Sequence, residues 1–194
     1  MDSASFFKSE IEEHAAVLAH SRESLGRDFD AMLNVWLSCI RGGGKILLFG
    51  NGGSAGDAQH IATELTIRYK KDRAPIAAIA LTTDTSALTA AGNDIGFDLV
   101  FARQIEALGR PGDLAFGIST SGKSPNVLVA LKTAREMGLA TAAFSGGSGG
   151  KLTEFADTVV VVPSSTTARI QEMHIMLGHM LCGALELKLG LVAL

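Results

Sequence analysis

The chain has 194 residues, of which 47% are hydrophobic and 19% are charged, so its composition is that of a folded globular protein of about one domain. Its formal net charge of −3 excludes the strongly basic surface typical of nucleic-acid-binding proteins. Apolar runs such as KILLFG and TVVVV are far shorter than the roughly 20 residues of a membrane span. The start, MDSASFFKSEIEEH, lacks the features of a signal peptide. We therefore expect a cytoplasmic protein that binds neither nucleic acid nor membrane.

The two cysteines are consistent with a cytosolic protein. Cys39 and Cys182 lie in apolar helical patterns, and they do not form the C-x-x-C spacing of metal and redox motifs. We expect buried, reduced thiols that behave as small hydrophobic side chains.

Two helices are predicted over residues 5–42. The apolar face of the first consists of Phe7, Ile11, Ala15 and Leu18. That of the second consists of Met32, Val35, Trp36, Cys39 and Ile40, and the glycines at 42–44 end it. Each face is suited to the core and equally to an oligomer contact, and the sequence alone does not separate the two.

Strands and helices alternate in the rest of the chain. Apolar strands are predicted at 45–50, 76–81, 113–119, 139–145 and 158–163. Helices are predicted near 55–69, 96–108, 124–137, 150–156 and 166–189. Strands that are apolar on both faces and alternate with helices indicate a parallel sheet covered on both sides. We predict an α/β fold: a single domain over 1–194, a three-layer αβα sandwich with a five-stranded parallel sheet, preceded by a helical hairpin.

In such a fold, ligands bind beyond the carboxyl ends of the strands. After the third strand comes STSGKSPN, which carries four hydroxyl side chains within six residues: Ser119, Thr120, Ser121 and Ser124. Ser124 and Pro125 begin a helix, and backbone N–H groups at a helix start bind anions well. One hydroxyl would be explained by an ordinary helix cap. Four at this edge of the sheet favour a phosphate monoester.

Two other loops are weaker candidates for ligand binding. Asn51, Gly52 and Gly53 follow the first strand, where glycines allow a ligand to approach the backbone, but glycine-rich turns are common there. Asn93 and Asp94 follow the second strand, where helix capping explains them equally well.

The helix after the first strand carries a pair suited to a metal. His60 and Glu64 are four residues apart and share a face, so they can chelate a divalent ion, with zinc favoured by the nitrogen ligand. Such a pair is also common on solvated helix surfaces. In the last helix, Gln171 and His179 are separated by a rise of ~12 Å and reach one ion only if it lies between them. His174 is either a rival ligand or a core histidine.

Three segments together resemble a known family. GNGGSAGDAQH, STSGKSPN and RIQEMH are similar to the sugar isomerase (SIS) domain family, and in particular to bacterial phosphoheptose isomerases. The resemblance extends over nearly the whole chain. It implies the SIS fold and the conversion of D-sedoheptulose 7-phosphate to D-glycero-D-manno-heptose 7-phosphate, which supplies heptose for bacterial surface glycans such as lipopolysaccharide.

The resemblance also implies roles for individual residues. The phosphate would be held by Ser119, Thr120, Ser121 and Ser124. The sugar would contact Asn51, Gly52, Gly53, Asn93 and Asp94, together with Glu64 and Gln171. One zinc ion per subunit would be held by His60, Glu64, Gln171 and His179. A homotetramer with active sites at subunit contacts is implied as well, which would give the helices over 5–42 a role in oligomerisation.

Isomerisation through an enediol needs a base at carbon and proton transfer at two oxygens. Glu64 is the candidate base and His179 the candidate acid/base partner. Because a carboxylate that is held tightly by zinc is a poorer base, Glu64 acts as base, ligand or both. Ala168 stands where some relatives carry an acidic residue near the site, and this leaves the local hydrogen bonding open.

Two non-enzymatic alternatives belong to other functional classes. Some SIS-domain proteins bind a replication initiator without catalysis, and they resemble this chain in the segment ARIQEMH. Such an adaptor is expected to lose part of the metal and base set, whereas Glu64 and His179 are both present. A sugar-phosphate-sensing regulator would need a DNA-binding segment, which the sequence does not show.

Overall fold

The computed structural model describes residues 2–193 and contains one five-stranded sheet, which is entirely parallel as predicted. Its strands are β1 (Ile46–Gly50), β2 (Ala78–Ala80), β3 (Leu114–Ile118), β4 (Ala140–Gly146) and β5 (Thr158–Val162). They are arranged in the order β2-β1-β3-β4-β5, so the chain reverses its direction of winding between β1 and β3. In sheets of this kind, the crevice at the reversal point binds the ligand.

Within residues 2–193 there are eight α-helices, which cover both faces of the sheet and complete the predicted sandwich. They are α1 (Ser3–Ser24), α2 (Gly26–Arg41), α3 (Gly53–Thr66), α4 (Thr85–Asp94), α5 (Val100–Leu108), α6 (Pro125–Glu136), α7 (Leu152–Phe155) and α8 (Thr167–Lys188). A short 3₁₀ helix, Phe97–Leu99, precedes α5. None of the described helices combines the length and the apolar character that crossing a bilayer requires.

Helix α4 was not predicted. Its sequence, TSALTAAGND, has one large apolar residue, Leu88, and none of its residues is fully buried, so it lacks the apolar stripe by which helices are recognised. It begins at Asp84, whose side chain accepts a hydrogen bond from the Ala87 N–H. Asn93 and Asp94 therefore end a helix rather than follow a strand directly.

Alternate residues of the buried strands pack into two hydrophobic cores, one on each face of the sheet. Ile46 and Leu48 pack with α2, α3 and α8 on one face, whereas Leu47 and Phe49 pack with α5 and α6 on the other. Trp36 of α2 contacts Phe116 edge-on, with ring centroids 5.1 Å apart. The two layers of helices therefore hold the sheet rigidly enough to present its loops at one edge.

The two N-terminal helices differ in how their apolar faces are used. On α2, Met32, Trp36 and Cys39 are buried, as a core face requires. On α1, Phe7 and Ile11 are 69% and 55% exposed, so this face is not part of the core of the single chain. The core interpretation is thus correct for α2 and wrong for α1, and the oligomer-contact interpretation remains for α1.

Both cysteines are free and buried, as predicted. Burial, the largest cause, raises the pKa of Cys182 to about 12, so its thiol stays protonated and inert.

Asp113 ties the beginnings of β1 and β3 together. Its nearly buried carboxylate accepts hydrogen bonds from the Lys45 N–H at 2.9 Å, from the Lys45 ammonium and from the Arg110 N–H at 2.8 Å. Burial acts to raise the pKa of Asp113, but these hydrogen bonds outweigh it and the pKa is lowered.

We predict that Asp113→Ala lowers the free energy of unfolding by about 3 kcal/mol at pH 7, because it leaves buried N–H donors unpaired. Since the folded pKa is lowered, the wild-type contribution is present above the unfolded pKa of about 4 and is lost as the pH falls through the folded pKa. Urea denaturation at several pH values measures both effects. Glu136→Gln, in the exposed Lys132–Glu136 pair, is the control and should change little. Equal stability of Asp113→Ala and wild type would contradict the prediction.

Candidate active site

The loops after β1 and β3 lie side by side because these strands are neighbours in the sheet. Their side chains are joined by a reciprocal amide pair. The amide nitrogen of Asn51 donates to the Asn126 oxygen, the Asn126 nitrogen donates back to the Asn51 oxygen, and both distances are 2.9 Å. Asn126 is buried and was not predicted as a site residue. This pair holds the two candidate ligand loops in a fixed relation.

The loop after β3 has the predicted turn and helix start. Ser124 precedes α6, whose first residue is Pro125, and Gly122 has the positive φ of 64° that the turn requires. The Ser119 and Ser124 hydroxyl oxygens are 2.9 Å apart. Ser119 is almost fully buried, so these two hydroxyls form the inner side of the loop.

A cavity of about 230 Å³ lies against the outer side of this loop, between it and the loops after β4 and β5. Its lining is rich in hydroxyl groups and backbone: Thr120, Ser121, Lys123, Gly146, Gly147, Ser148, Ser165, Thr167 and Ile170. Thr167 is the first residue of α8, and a helix start of this kind attracts anions. The arrangement is suited to a phosphate group.

Four polar residues of this cavity were missed at the sequence level: Lys123, Ser148, Ser165 and Thr167. The signal was present for three of them, because GSGG follows β4 and SSTT lies just beyond β5. Applying the carboxyl-end rule to these two strands as well would have identified Ser148, Ser165 and Thr167.

A second cluster lies where α3 and α8 meet. The Nε2 atoms of His60 and His179 are 2.8 Å apart. The Glu64 Oε1 atom lies 3.2 Å from the His60 Nε2 atom and 4.0 Å from the His179 Nε2 atom. These three side chains form a group with the geometry for holding a metal ion. The structure thus brings together three of the four predicted ligands from two distant parts of the chain.

The donor set fits zinc. Two ligands bound to zinc at 2.0–2.2 Å in a tetrahedral arrangement are about 3.4 Å apart, and the three measured distances bracket this value. Within the described residues, the Glu64 Oε2 atom is buried and lacks a hydrogen-bond partner. A buried carboxylate oxygen without a donor is stabilised by a cation nearby.

Gln171 lies further toward the start of α8. Its side-chain amide packs on Gly53, where an added Cβ atom would overlap it. Gly53 precedes His60 by seven residues on α3, or about 10 Å of helix rise. A ligand role for Gln171 remains a prediction.

Asp57 is a further candidate for a polar residue of this site, and the sequence analysis did not identify it. It lies three residues before His60 and seven before Glu64, so all three share one stripe of α3. Burial raises the pKa of Asp57 to about 6, and His60 opposes this shift. Within residues 2–193, its Oδ2 atom lacks a hydrogen-bond partner. The i, i+3, i+7 spacing of these residues was visible in the sequence.

His174, the rival ligand, is a core residue. It is fully buried, its Nε2 atom lies 3.0 Å from the Ser145 carbonyl oxygen, and its ring stacks on Phe144. Burial lowers the pKa of His174 to about 4, so the ring is neutral and donates to that carbonyl.

The remaining predicted residues lie at the surface. Gly52, with a positive φ of 56°, and Gly53 form the exposed start of α3. Asn93 and Asp94 are exposed, and the Asn93 side-chain amide donates a hydrogen bond to the Asp94 carboxylate. Asp94 also lines a groove between α4 and α5. Ala168 is exposed in the first turn of α8.

Comparisons with known proteins agree with this architecture. The model of the SIS domain family matches residues 11–146. A phosphoheptose isomerase of Paramagnetospirillum magneticum is 55% identical over 186 residues, covering 96% of this chain and 97% of its own. The phosphoheptose isomerase of Neisseria gonorrhoeae has a solved structure with a TM-score of 0.90 and 43% identity, covering 95% and 99% of the two chains. That of Francisella tularensis gives a TM-score of 0.93 and 36% identity, covering 96% and 100%.

Proposed function

We propose that this chain, which belongs to the SIS domain family and within it to the phosphoheptose isomerases, converts D-sedoheptulose 7-phosphate to D-glycero-D-manno-heptose 7-phosphate. The observation that carries the proposal is the cluster of His60, Glu64 and His179, in a chain that is 55% identical to a phosphoheptose isomerase over nearly its full length. The alternative, a non-catalytic adaptor for a replication initiator, has no support in these comparisons. The metal and base residues that it was expected to lose are present.

The reaction moves hydrogen between adjacent carbons. A base removes a proton from C1 of the ketose, an enediol forms, and a proton is returned to C2 while the hydroxyl proton moves from O1 to O2. Glu64 is the proposed base, and His179 is the proposed group that transfers the proton between the two oxygens. His60 lies within 3.2 Å of Glu64 and orients its carboxylate.

The two oxygens of Glu64 have different surroundings. Oε1 faces His60 and His179, whereas Oε2 lacks a hydrogen-bond partner among the described residues. Because Oε2 is also buried, Oε1 is the oxygen that a substrate can reach. In this proposal Glu64 acts through Oε1, as ligand, as base or as both in turn.

The proposed cofactor is zinc, one ion per subunit, held by His60, Glu64 and His179, with Gln171 as the fourth ligand. When bound there, zinc supplies a Lewis acid that polarises the substrate carbonyl. The phosphate lies in the cavity lined by Thr120 and Ser121, with Ser119 and Ser124 behind them. The sugar then extends along α8 toward His179, past Asn51, Gly52 and Gly53.

The proposal includes a homotetramer that acts in the cytoplasm and supplies heptose for surface glycans. The exposed apolar face of α1, with Phe7 and Ile11, supports the oligomer. An apolar groove of about 500 Å³ between α1, α2 and α8 lies beside that face and is lined by Leu18, Phe29 and Met180 among others. Asn93 and Asp94, remote from the cluster in sequence and exposed, are proposed to contact sugar at a subunit contact. The two free cysteines support the location.

The activity itself is tested by incubating zinc-loaded protein with sedoheptulose 7-phosphate and following the sugar signals by NMR. We expect signals of the heptose phosphate to appear at the expense of the ketose. No conversion by a folded, zinc-loaded sample would overturn the proposed function and favour the adaptor.

We predict that Thr120→Val and Ser121→Ala each raise KM by about 10-fold or more, because each removes a hydroxyl that lines the cavity and a hydrogen bond to a charged group contributes about 1.5–3 kcal/mol. kcat should change less, since the phosphate is remote from the reacting carbons. Steady-state kinetics measure both constants. Ser24→Ala, at an exposed position on α1, is the control. Unchanged KM in both loop variants would mean that this loop is a turn without a ligand.

We predict that His60→Ala and His179→Ala each lower the zinc content, because each removes one ligand from the cluster. Elemental analysis of the purified proteins measures the metal. His20→Ala, an exposed histidine on α1, is the control and should keep its zinc. Gln171→Ala tests the fourth ligand in the same series. Full zinc occupancy in both cluster variants would show that the ligands are misassigned.

We predict that Glu64→Gln lowers kcat by about 10²-fold or more, because the amide keeps the size of the side chain but cannot accept the proton. KM should persist, which would place the loss in the chemical step. Since the substitution also affects a metal ligand, zinc is measured in the same sample. A variant with normal zinc and near-normal turnover would exclude Glu64 as the base.

We predict that the wild type sediments as a tetramer and that the double variant Phe7→Asp, Ile11→Asp dissociates, because it places charges on the α1 face. Analytical ultracentrifugation measures the mass. Lys132→Asp on α6 changes the net charge by the same amount at an exposed position and should stay tetrameric. A monomeric wild type, or an unaffected double variant, would contradict the oligomer.

A further inference from the structure

Tyr69, just beyond the end of α3, stacks on the ring of His179. The two ring centroids are 5.5 Å apart and the planes are inclined by 22°. We infer that Tyr69 is a positioning residue, which holds the His179 imidazole in the orientation that the metal cluster requires. The inference rests on the proposed function for its consequence in catalysis, but the contact itself exists without metal.

The ring of His179 has one other aromatic contact, an edge-on approach to the His60 ring with the centroids 4.9 Å apart. A histidine that binds metal ordinarily donates its second ring N–H to a carboxylate or carbonyl, which fixes the ring plane. Within residues 2–193, the hydrogen-bond and ion-pair contacts of His179 are made through Nε2, toward His60 and Glu64. No described partner is within hydrogen-bond distance of Nδ1. Stacking on Tyr69 therefore supplies the restraint on rotation that a hydrogen bond at Nδ1 usually provides.

Tyr69 is itself held firmly in place. Its backbone N–H donates to the Glu186 carboxylate at 3.3 Å, and that carboxylate accepts from the Arg73 Nε–H at 2.8 Å. The Arg73 and Glu186 side chains are only 1% and 2% exposed, so the pair is shielded from water and salt. Gly183 lies against the Tyr69 ring, and an added Cβ atom there would be 3.1 Å from Cε1.

The same ion pair reaches the other side of the cluster. An Nη2–H of Arg73 donates to the Glu64 backbone carbonyl at 2.6 Å, while Glu186 belongs to α8, seven residues after His179. Arg73 therefore connects the helix that carries Glu64 to the helix that carries His179. This connection fixes the position of Tyr69, and the Tyr69 ring in turn restrains the orientation of the His179 imidazole.

The geometry assigns the role to the aromatic ring and not to the hydroxyl group. Among the described residues, the Tyr69 ring contacts His179, the Lys70 ammonium and Gly183. Phenylalanine keeps the ring, whereas leucine keeps much of the volume but loses the flat face. The pair Tyr69→Phe and Tyr69→Leu thus separates stacking from general packing.

The test measures zinc affinity of the full chain by competition with a chelating dye, together with the visible absorption of the cobalt-loaded protein. We expect Tyr69→Phe to bind as wild type and Tyr69→Leu to bind about 10-fold more weakly, as is typical when a partner of a metal ligand is removed. We also expect an altered cobalt spectrum in Tyr69→Leu only, with kcat reduced more than KM is changed. Wild-type affinity in Tyr69→Leu, or an equal loss in Tyr69→Phe, would overturn the inference.

Phe144→Leu is the matched control. Phe144 stacks on His174 with a centroid distance of 5.3 Å and an inclination of 23°, so the chain contains the same kind of stack away from the metal cluster. Its removal should leave zinc affinity within about twofold, since His174 is a core residue. An equal loss of affinity in Phe144→Leu would attribute the effect to general destabilisation and overturn the inference.

NMR of metal-free protein labelled at histidine separates this inference from the proposed function. If wild type binds neither zinc nor cobalt, the proposed metal site fails, and the ring signals of His179 still decide the role of Tyr69. They should move in Tyr69→Leu and stay in Tyr69→Phe, because an aromatic face shifts the signals of a stacked ring. Unmoved signals in Tyr69→Leu would overturn the inference.

If Tyr69→Leu does not fold, Gly183→Ala decides instead. Alanine favours helix more than glycine does, so the fold is retained while the added methyl group, 3.1 Å from Cε1, makes the Tyr69 ring shift by a few tenths of an ångström. Weaker zinc binding in Gly183→Ala supports the inference, and unchanged zinc binding with unmoved His179 signals overturns it.

Discussion

The close approach of α3 and α8 is the constraint on which the candidate site depends. The two helices run in the same direction. Gly53 faces Gln171 near their starts, and His60 faces His179 further along both helices. Gly178 lies directly against Ile61, where a Cβ atom would be 2.6 Å from Cδ1. Any larger residue at 178 would force the Ile61 side chain or the helices themselves to shift. Two imidazoles from distant parts of the chain reach a separation of 2.8 Å only because the helices are this close.

The features that were correctly predicted are those encoded in neighbouring residues. The strands are recognisable because both of their faces are apolar, and the β3 loop is recognisable because Ser124 and Pro125 mark a helix start. The pairing of His60 with His179 depends on how two helices pack, so the residues alone left it open and only the family resemblance suggested it. The α1 face was ambiguous for a related reason. An apolar stripe indicates that a helix face is buried, but it does not show whether the same chain or another chain buries it. Helix α4 escaped prediction because it has no such stripe.

Helix α8 relates the phosphate cavity to the metal cluster. Thr167 lines the cavity at the first residue of the helix, and His179 lies twelve residues later, about 18 Å along the axis. The start of a helix attracts an anion, while the histidines and Glu64 attract a cation. In the proposed function, these two ends of α8 would give opposite preferences to the phosphate and to the reacting end of the substrate.

The same helix couples the site to the proposed assembly. Met176 and Met180 line the apolar groove against α1 and α2, about 60° and 100° around the α8 axis from His179, which faces α3. A second copy seated in that groove would contact the face of α8 next to the one that carries the cluster. Gly178 holds that same helix against Ile61 of α3. Since the separation of α3 and α8 sets the distance between the two histidines, the proposed burial of the α1 face and the proposed metal site would both depend on how α8 packs.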